Sequence, residues 1–340
     1  MTSLQRVQRH VRGEDVDHLP CQPMLMMYAA KHIGVKYIDY TRDGRIMAEA
    51  QVRAALDYGT DVLLTCSDPA REVIDIAGEG SVDWFDDQGP AINESRAALA
   101  DQGVLKTLRL PSLAPGGRMY DRIIAIQAMR KRVGQELSIV GWVEGPLALA
   151  AELRGLNALM MDFFDDEGFV CDLLDFCTEV AMAYAGPQIE AGADTIGMSD
   201  AAASLIGPEL YRRLLFPRQQ RVYESIKQRY PQVLTRSHMC GNTTALAGTM
   251  NGLSADIFEI DFPADLKEVR RLMPDKLLSG NVSTIADMIQ GSPEDVYGVA
   301  GRCHAICGKR HIVNCGCEVA PITPPANLRA MIRYAREHKP

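Results

Sequence analysis

The 340-residue sequence lacks three features that would place it in large functional classes. It has no basic cluster longer than the "RKR" at 130–132, and its net charge is −8, so a nucleic-acid-binding surface is not expected. It has no run of about 18 or more apolar residues. Its first 20 residues contain no apolar segment typical of a secretory signal peptide. These absences predict a cytoplasmic protein that binds neither nucleic acid nor membrane.

Cysteine, in contrast, is plentiful. Nine cysteines, an odd number without an export signal, favour free thiols in a reducing compartment. Cys171 and Cys177 lie in an amphipathic pattern, and Cys303 and Cys307 are four residues apart, so we expect these four to pack in the core. A hydrophobic content of 47% and a charged content of 24% are ordinary for a globular protein with a large core.

Short apolar runs alternate with longer helical patterns along the chain, which is typical of repeated βα units around a parallel sheet. Eight parallel strands are the number that closes a barrel. The sequence therefore predicts an α/β protein, a (β/α)8 TIM barrel with an N-terminal helical extension, as a single domain over residues 1–340. The eight predicted strands are 18–24, 61–66, 138–145, 195–200, 233–240, 256–261, 276–282 and 311–317.

The helical segments carry recognisable boundary signals. Ser292 followed by Pro293 predicts a capped helix start. Pro217 should kink or split the helix predicted over 207–230. Residues 67–118 are long for one connection, so we interpret them as an insertion after the second strand that covers the barrel mouth, although a disordered loop is the alternative.

Chemistry in such barrels occupies the carboxyl ends of the strands, where the βα loops converge. Six of the predicted strands end in polar or reactive side chains, so the sequence predicts one site at the barrel mouth. These side chains are Glu144, Ser199, Asp200, His238, Cys240, Glu259, Asp261, Asn281, Cys315 and Cys317.

Two short motifs at this mouth are typical of metal ligands. His238 and Cys240 end the fifth predicted strand, and Cys315 and Cys317 end the eighth. Residues i and i+2 of a strand share a face, so each pair can point toward a common centre. Catalytic zinc sites use three protein ligands and leave the fourth position open. The motifs therefore predict a His, Cys, Cys site with one thiol to spare, and core packing of the same side chains is the alternative.

The expected ligand set also indicates a type of chemistry. Thiolate ligands select zinc over magnesium or calcium. Two thiolates and one imidazole leave zinc little residual positive charge, so it activates water poorly but deprotonates an incoming thiol. A thiolate is a nucleophile at neutral pH. The pattern therefore favours alkyl transfer to sulfur.

The segments "HMCGNTT" (238–244) and "NCGCEVAPITPPANLRAM" (314–331), with others given below, carry a family likeness. They resemble the uroporphyrinogen decarboxylase superfamily, and most closely its corrinoid-dependent methyltransferases of the methylcobalamin:coenzyme M and chloromethane-utilisation types. The resemblance implies a (β/α)8 barrel and an H-x-C…C zinc motif, whose ligands would fall on His238, Cys240 and Cys317, with Cys315 as the alternate. The segments are "HMCGNTT" (238–244), "ADIFEIDFPADL" (255–266), "LLSGNVS" (277–283), "NCGCEVAPITPPANLRAM" (314–331) and "GWVEGPLALAAELRGLNALMMD" (141–162).

This resemblance implies a zinc-dependent methyltransferase that acts with methylcobalamin or a separate corrinoid protein and with a small thiol or pterin acceptor. We expect Glu144, Asp200 and Asn281 to contact the substrate. One alternative is a decarboxylase of the parent family, but "NCGCE" stands where decarboxylases resemble "NLGHG", and their arginine-rich "RQAGRY" segment has no counterpart in "CQPMLMMYAA" (21–30). A non-catalytic module that binds a corrinoid protein is the other alternative.

Overall fold

The computed structural model describes all residues from Met1 to Pro340. Its main sheet has seven strands, all parallel, in the order β1-β4-β5-β6-β7-β8-β9, and β2 pairs with β3 in a separate antiparallel hairpin. The strands are β1 (Val62–Leu64), β2 (Val82–Asp83), β3 (Ala91–Ile92), β4 (Ser138–Glu144), β5 (Thr195–Ser199), β6 (Leu234–Met239), β7 (Ile257–Ile260), β8 (Leu277–Ser279) and β9 (His311–Ile312).

Helices precede the sheet and connect its strands, which is the arrangement of an α/β protein with a curled parallel sheet. They are α1 (Ser3–Val11), α2 (Met27–His32), α3 (Tyr37–Arg42), α4 (Gly44–Tyr58), α5 (Ala70–Ala77), α6 (Arg118–Val133), α7 (Pro146–Arg154), α8 (Leu156–Asp165), α9 (Glu167–Glu190), α10 (Gly207–Leu210), α11 (Phe216–Arg229), α12 (Ala247–Met250), α13 (Leu266–Leu272), α14 (Pro293–Cys307) and α15 (Pro325–Glu337).

The first predicted strand, 18–24, is not a regular strand. It forms isolated parallel bridges, Cys21 with Val313 and Met24 with Glu318. On its other side, the carbonyl of Cys21 accepts a hydrogen bond of 2.9 Å from the amide of Asp61, just before β1. The segment thus joins the two outer strands of the sheet. Prolines at positions 20 and 23 lack an N–H, so a continuous ladder cannot form there.

Alternate residues of the strands divide the core into two layers. Outward-facing residues such as Leu63 and Phe258 belong to the large cluster shared with the helices. Residues of the opposite face form smaller clusters, one of which contains Leu64, Val140 and Trp142. Since successive strand side chains point to opposite faces, this second layer fills the space enclosed by the sheet.

Local boundary signals gave correct predictions. Ser292 caps α14, with its hydroxyl accepting from the amide of Asp295. The helix predicted over 207–230 is divided into α10, a π-helical turn over Tyr211–Leu215, and α11, with Pro217 in the first turn of α11. All four cysteines expected in the core pack there, with Cys171 only partly buried.

Residues 67–118 contain α5, the β2–β3 hairpin and three short 3₁₀ turns. The segment packs against the α7–α8 region, since the amide of Leu99 donates to the carbonyl of Leu153 at 2.8 Å. That it is an insertion within one domain over 1–340 stays a prediction. None of the helices combines the length and apolarity needed to cross a bilayer.

Candidate metal centre and active site

Three side chains from distant parts of the chain converge beyond the ends of β6 and β9. The donor atoms of His238, Cys240 and Cys317 all lie within 4.8 Å of one another. The Nε2 atom of His238 is 3.2 Å from the sulfur of Cys240, which is 4.0 Å from the sulfur of Cys317. One imidazole and two sulfurs at such distances match the donor set of a zinc site with one open position.

A buried carboxylate fixes the ring of His238. Its Nδ1 donates to the carboxylate of Glu259 at 3.1 Å, and this leaves Nε2 directed at the two sulfurs. Arg236 and Asn314 also donate to Glu259, whose side chain is 0% exposed. Burial alone would raise the pKa of Glu259, but the charges of Arg236 and His238 outweigh it and lower this pKa to about 2. A carboxylate that orients a metal-binding histidine in this way is common.

The two thiols differ in acidity. Hydrogen bonds from the Cys240 thiol and from His238 lower the pKa of Cys317 to about 4, whereas the pairing with Cys317 and burial raise the pKa of Cys240. Burial opposes protonation of His238, but its bonds to Cys317 and Glu259 outweigh this and raise its pKa to about 10. The cluster thus stabilises a negative sulfur, the form in which cysteine binds metals.

Two glycines allow the ligand-bearing loops to approach each other. A Cβ added at Gly316 would lie 2.3 Å from the backbone nitrogen of Phe262, so a side chain there would push Cys317 out of position. Gly241 has φ +83°, a conformation that favours glycine. Its amide donates to the carboxylate of Asp261 at 2.7 Å, which holds the turn after Cys240.

Cys315 does not join the cluster. Its side chain is 0% exposed, and its sulfur lies 3.8 Å from the sulfur of Met331 in the main core. The chain bends at Gly316 and Cys317, so the shared face expected for an extended C-x-C is lost. This corrects the expectation that both pairs point to one centre, and Cys317 is the cysteine that meets His238 and Cys240.

The three side chains form one wall of a cavity of about 280 Å³. Its other walls come from the carboxyl ends of β1, β4 and β5, from α7 and from the segments after residues 23 and 317. The lining residues are Met24, Met26, Cys66, Asp68, Pro69, Trp142, Glu144, Glu152, Ser199, Ala201, His238, Cys240, Cys317 and Glu318.

Comparison with known proteins assigns the chain to a family. The profile of the uroporphyrinogen decarboxylase (URO-D) family matches residues 2–338. The chain belongs to the uroporphyrinogen decarboxylase family. This confirms the resemblance predicted from the sequence.

Its relatives within the family include two kinds of enzyme. Methylcobamide:CoM methyltransferase MtbA of Methanosarcina mazei is 31% identical over 254 residues, which is 74% of this chain and 72% of the relative. A uroporphyrinogen decarboxylase of Nostoc sp. is 27% identical over 349 residues, covering 97% of this chain and 95% of the relative. The solved structure of a methyltransferase from Methanosarcina mazei superposes with a TM-score of 0.89 at 22% identity and covers 99% of both chains. The chain therefore shares the fold of this solved structure, an α/β fold with a parallel sheet.

The residues predicted to contact the substrate separate in the structure, and only Glu144 lines the cavity. The carboxylate of Asp200 accepts from the amides of Leu147 and Ala148, at 2.8 and 2.9 Å, and so caps the start of α7. The side chain of Asn281 donates to the carbonyl of Ala264 at 3.1 Å. Asp200 and Asn281 thus bind the backbone and are not among the lining residues, and contact of Glu144 with a substrate stays a prediction.

Sequence reasoning missed several members of the cavity. Glu318 directly follows Cys317, so its position could have been noticed. Trp142 lies two residues before Glu144 and, by strand alternation, on the same face. Glu152 lies inside α7, and no local pattern distinguishes it from a solvent-exposed helical glutamate.

Proposed function

We propose that this protein is a zinc-dependent methyltransferase that moves a methyl group between a methylcorrinoid and a small thiol. The convergence of His238, Cys240 and Cys317 at one wall of a small-molecule-sized cavity carries this proposal. The relatives named methylcobamide:CoM methyltransferases support it. We further propose that the methylcorrinoid is presented by a separate corrinoid protein.

The residues fit zinc better than a harder cation. Two thiols and one imidazole provide soft donors, and no carboxylate belongs to the group of three. His238, Cys240 and Cys317 would hold the ion. When bound there, zinc would lower the pKa of a thiol substrate, so that its sulfur is a nucleophile at neutral pH.

The transfer itself is a displacement at the methyl carbon. The sulfur of the acceptor attacks this carbon and forms the sulfur–carbon bond. The cobalt–carbon bond breaks with its electron pair left on cobalt, which becomes Co(I), and the thiol proton is released. The cavity walls position the acceptor, and such positioning removes much of the entropic cost of a two-substrate step.

The chain's own residues prepare the site for this step. The carboxylate of Glu259 accepts a hydrogen bond from Nδ1–H of His238 and so keeps Nε2 directed to the cavity side. The carboxylate of Asp261 holds the turn that carries Cys240. The site is thus arranged before any substrate arrives, and little reorganisation is required during the reaction.

The alternative of a decarboxylase is less well supported. A porphyrinogen substrate carries many carboxylates and needs cationic side chains for binding. No lysine or arginine lines the cavity, and its volume is about 280 Å³, at the lower limit of ordinary ligand pockets. The small volume and the acidic lining favour a smaller substrate.

Metal analysis of matched cysteine variants tests the proposal. Purified protein should contain about one zinc per chain, and Cys317→Ala or His238→Ala should lose it because only two ligands remain. Cys315→Ala is the matched control, since its sulfur lies in the core, and it should keep the zinc. Equal zinc content in the Cys315→Ala and Cys317→Ala proteins would contradict the assignment.

Activity is measured by the change in absorbance of methylcobalamin as Co(I) forms in the presence of a thiol. We expect turnover that requires zinc and is lost in Cys317→Ala but retained in Cys315→Ala. Metal-free protein that decarboxylates a porphyrinogen would refute the methyltransferase proposal. A protein that binds a corrinoid protein but transfers no methyl group with zinc supplied would favour a non-catalytic module.

A further inference from the structure

The walls of the cavity carry acidic side chains. Four carboxyl residues line it, Asp68, Glu144, Glu152 and Glu318, and apart from the ligand His238 the lining contains no basic side chain. A molecule that enters the cavity therefore meets acidic groups beside the reactive centre.

Three arginines lie close to these acidic residues, and each of them is paired with a carboxylate. Arg118 pairs with Asp68 at 2.8 Å, and Arg122 contacts Glu72 at 3.3 Å. A third arginine, Arg71, pairs with Asp121 at 2.9 Å. Of the four lining carboxyl groups, only Asp68 is in a direct ion pair, although the charge of Arg122 also acts on Glu144.

The remaining carboxylates lack a cationic partner. Glu144 is 6% exposed, forms no salt bridge, and receives no hydrogen bond that stabilises its charge. One carboxylate oxygen of Glu152 is buried without any hydrogen-bond partner. Glu318 accepts only the amide of Met27, at 2.7 Å. Buried polar groups are normally paired, so the unpartnered oxygen of Glu152, together with a Glu144 carboxyl group that receives no hydrogen bond, indicates a missing partner.

Trp142 gives an independent indication of a ligand. Its side chain lines the same cavity, is 1% exposed, and its indole N–H has no hydrogen-bond partner. The face of an indole ring attracts cations, whereas its N–H needs an acceptor atom of the ligand, which an ammonium group does not provide. The cavity therefore offers two acidic groups and an aromatic side chain to whatever occupies it.

We propose that the substrate bound in this cavity carries a cationic group, such as an ammonium, which Glu144 and Glu152 bind beside Trp142. This inference rests on the proposed function for the identity of the reacting thiol, so the acceptor would be an aminothiol rather than a thiol with an acidic group. A sulfonate or carboxylate in the same place would face unbalanced glutamates.

The pKa shifts of the two glutamates agree with this assignment. Burial and the neighbouring carboxyl group of Glu72 raise the pKa of Glu144, and burial and Glu144 raise that of Glu152. A cation between them would favour their ionised forms and supply charge-assisted hydrogen bonds. Two thiolates, from Cys240 and Cys317, would neutralise a divalent ion held there, so the metal site would add no net positive charge to attract an anion.

Three thiols of matched length test the preference in the methylcobalamin assay: 2-aminoethanethiol, 2-mercaptoethanol and 2-mercaptoethanesulfonate. With zinc content checked after each reaction, kcat/KM should be highest for the cationic thiol and lowest for the anionic one. Glu144→Gln and Glu152→Gln should each lower kcat/KM for 2-aminoethanethiol by about tenfold and leave 2-mercaptoethanol nearly unchanged. Glu209→Gln, at an exposed position, is the matched control.

Calorimetric binding of non-thiol probes to the zinc-loaded protein separates this inference from the proposed function. Propylammonium should bind, 1-propanesulfonate should not, and Glu144→Gln should remove propylammonium binding. Propylammonium that binds no better than 1-propanesulfonate, or equal binding by Glu144→Gln, would overturn the inference. If no thiol is methylated, the proposed function fails, while the calorimetric comparison still decides whether the cavity selects cations.

Discussion

Replacing Glu259 with glutamine should weaken zinc binding and destabilise the metal-free protein by two separable effects. Glu259 is 0% exposed and accepts from His238, from Arg236 and from Asn314. Glutamine has the same shape as glutamate but no negative charge. Its NH2 group would point at neighbouring N–H donors, in the place where a carboxylate oxygen accepts their hydrogen bonds. His238 then loses the carboxylate that orients its ring.

The magnitudes follow from these contacts. Loss of a carboxylate behind a metal-binding histidine typically costs about 10-fold to 100-fold in metal affinity. Arg236 is 1% exposed, and a buried cation left without its partner costs about 3–5 kcal/mol in the free energy of unfolding. The first effect is measured by competition with a zinc chelator and the second by urea denaturation of the metal-free protein.

A double variant separates the two effects. Arg236→Met combined with Glu259→Gln removes the stranded cation, so most of the stability should return, since neutral replacement of a buried ion pair is often tolerated. Zinc affinity should stay low, because His238 still lacks its carboxylate. Glu268→Gln, in an exposed ion pair with Arg271, is the control for loss of one negative charge. Zinc affinity of Glu259→Gln within about threefold of the wild type would refute the reasoning.

Three further perturbations have defined outcomes. Gly316→Ala should lower zinc affinity, because its Cβ would lie 2.3 Å from a backbone nitrogen and displace the adjacent ligand loop, as chelator competition would show. Asp200→Ala should lower the free energy of unfolding by about 1–2 kcal/mol through loss of a helix cap and leave the preference among thiols unchanged in the methyl-transfer assay. Burial lowers the pKa of His10 to about 4 and that of His311 to about 3. Below pH about 6.5 the unfolded chain therefore binds more protons than the folded chain. As the pH decreases from there, the free energy of unfolding should fall by about 1.4 kcal/mol per pH unit for each histidine, and urea titrations at several pH values would measure this.

The controls for these perturbations use similar side chains elsewhere. Gly80→Ala, where a Cβ would meet no atom within 4 Å and φ is not positive, should leave zinc affinity unchanged. His10→Gln should remove the part of this pH dependence that His10 contributes. An altered thiol preference in Asp200→Ala would restore Asp200 as a substrate contact.

Patterns within short segments predicted much of the fold. Strand and helix periodicity depends on neighbouring residues, so seven of the predicted strands, the cap at Ser292 and the break before Pro217 were all visible in the sequence. The segment 18–24 was predicted as a full strand because its apolar residues resemble one. Its prolines allow isolated bridges but no ladder.

The sequence predicted some features of the candidate site and missed others. His238, Cys240 and Cys317 were predicted from motif spacing and family resemblance, and the structure brings them together. The spacing of Cys315 and Cys317 did not decide the role of Cys315. The two sulfurs of a C-x-C motif point the same way only if the chain stays extended there. The bend at Gly316 turns the sulfur of Cys315 toward Met331 in the core.

The sequence by itself determined the donor types, their places at strand ends and the family, since these depend on residue identity and local order. Only the tertiary structure decided which cysteine meets His238, that Glu259 holds its ring, and that unpaired glutamates from β4 and α7 line the cavity. The physical reason is that distances between such remote residues are set when the sheet curls and the helices pack against it, and no local pattern encodes them.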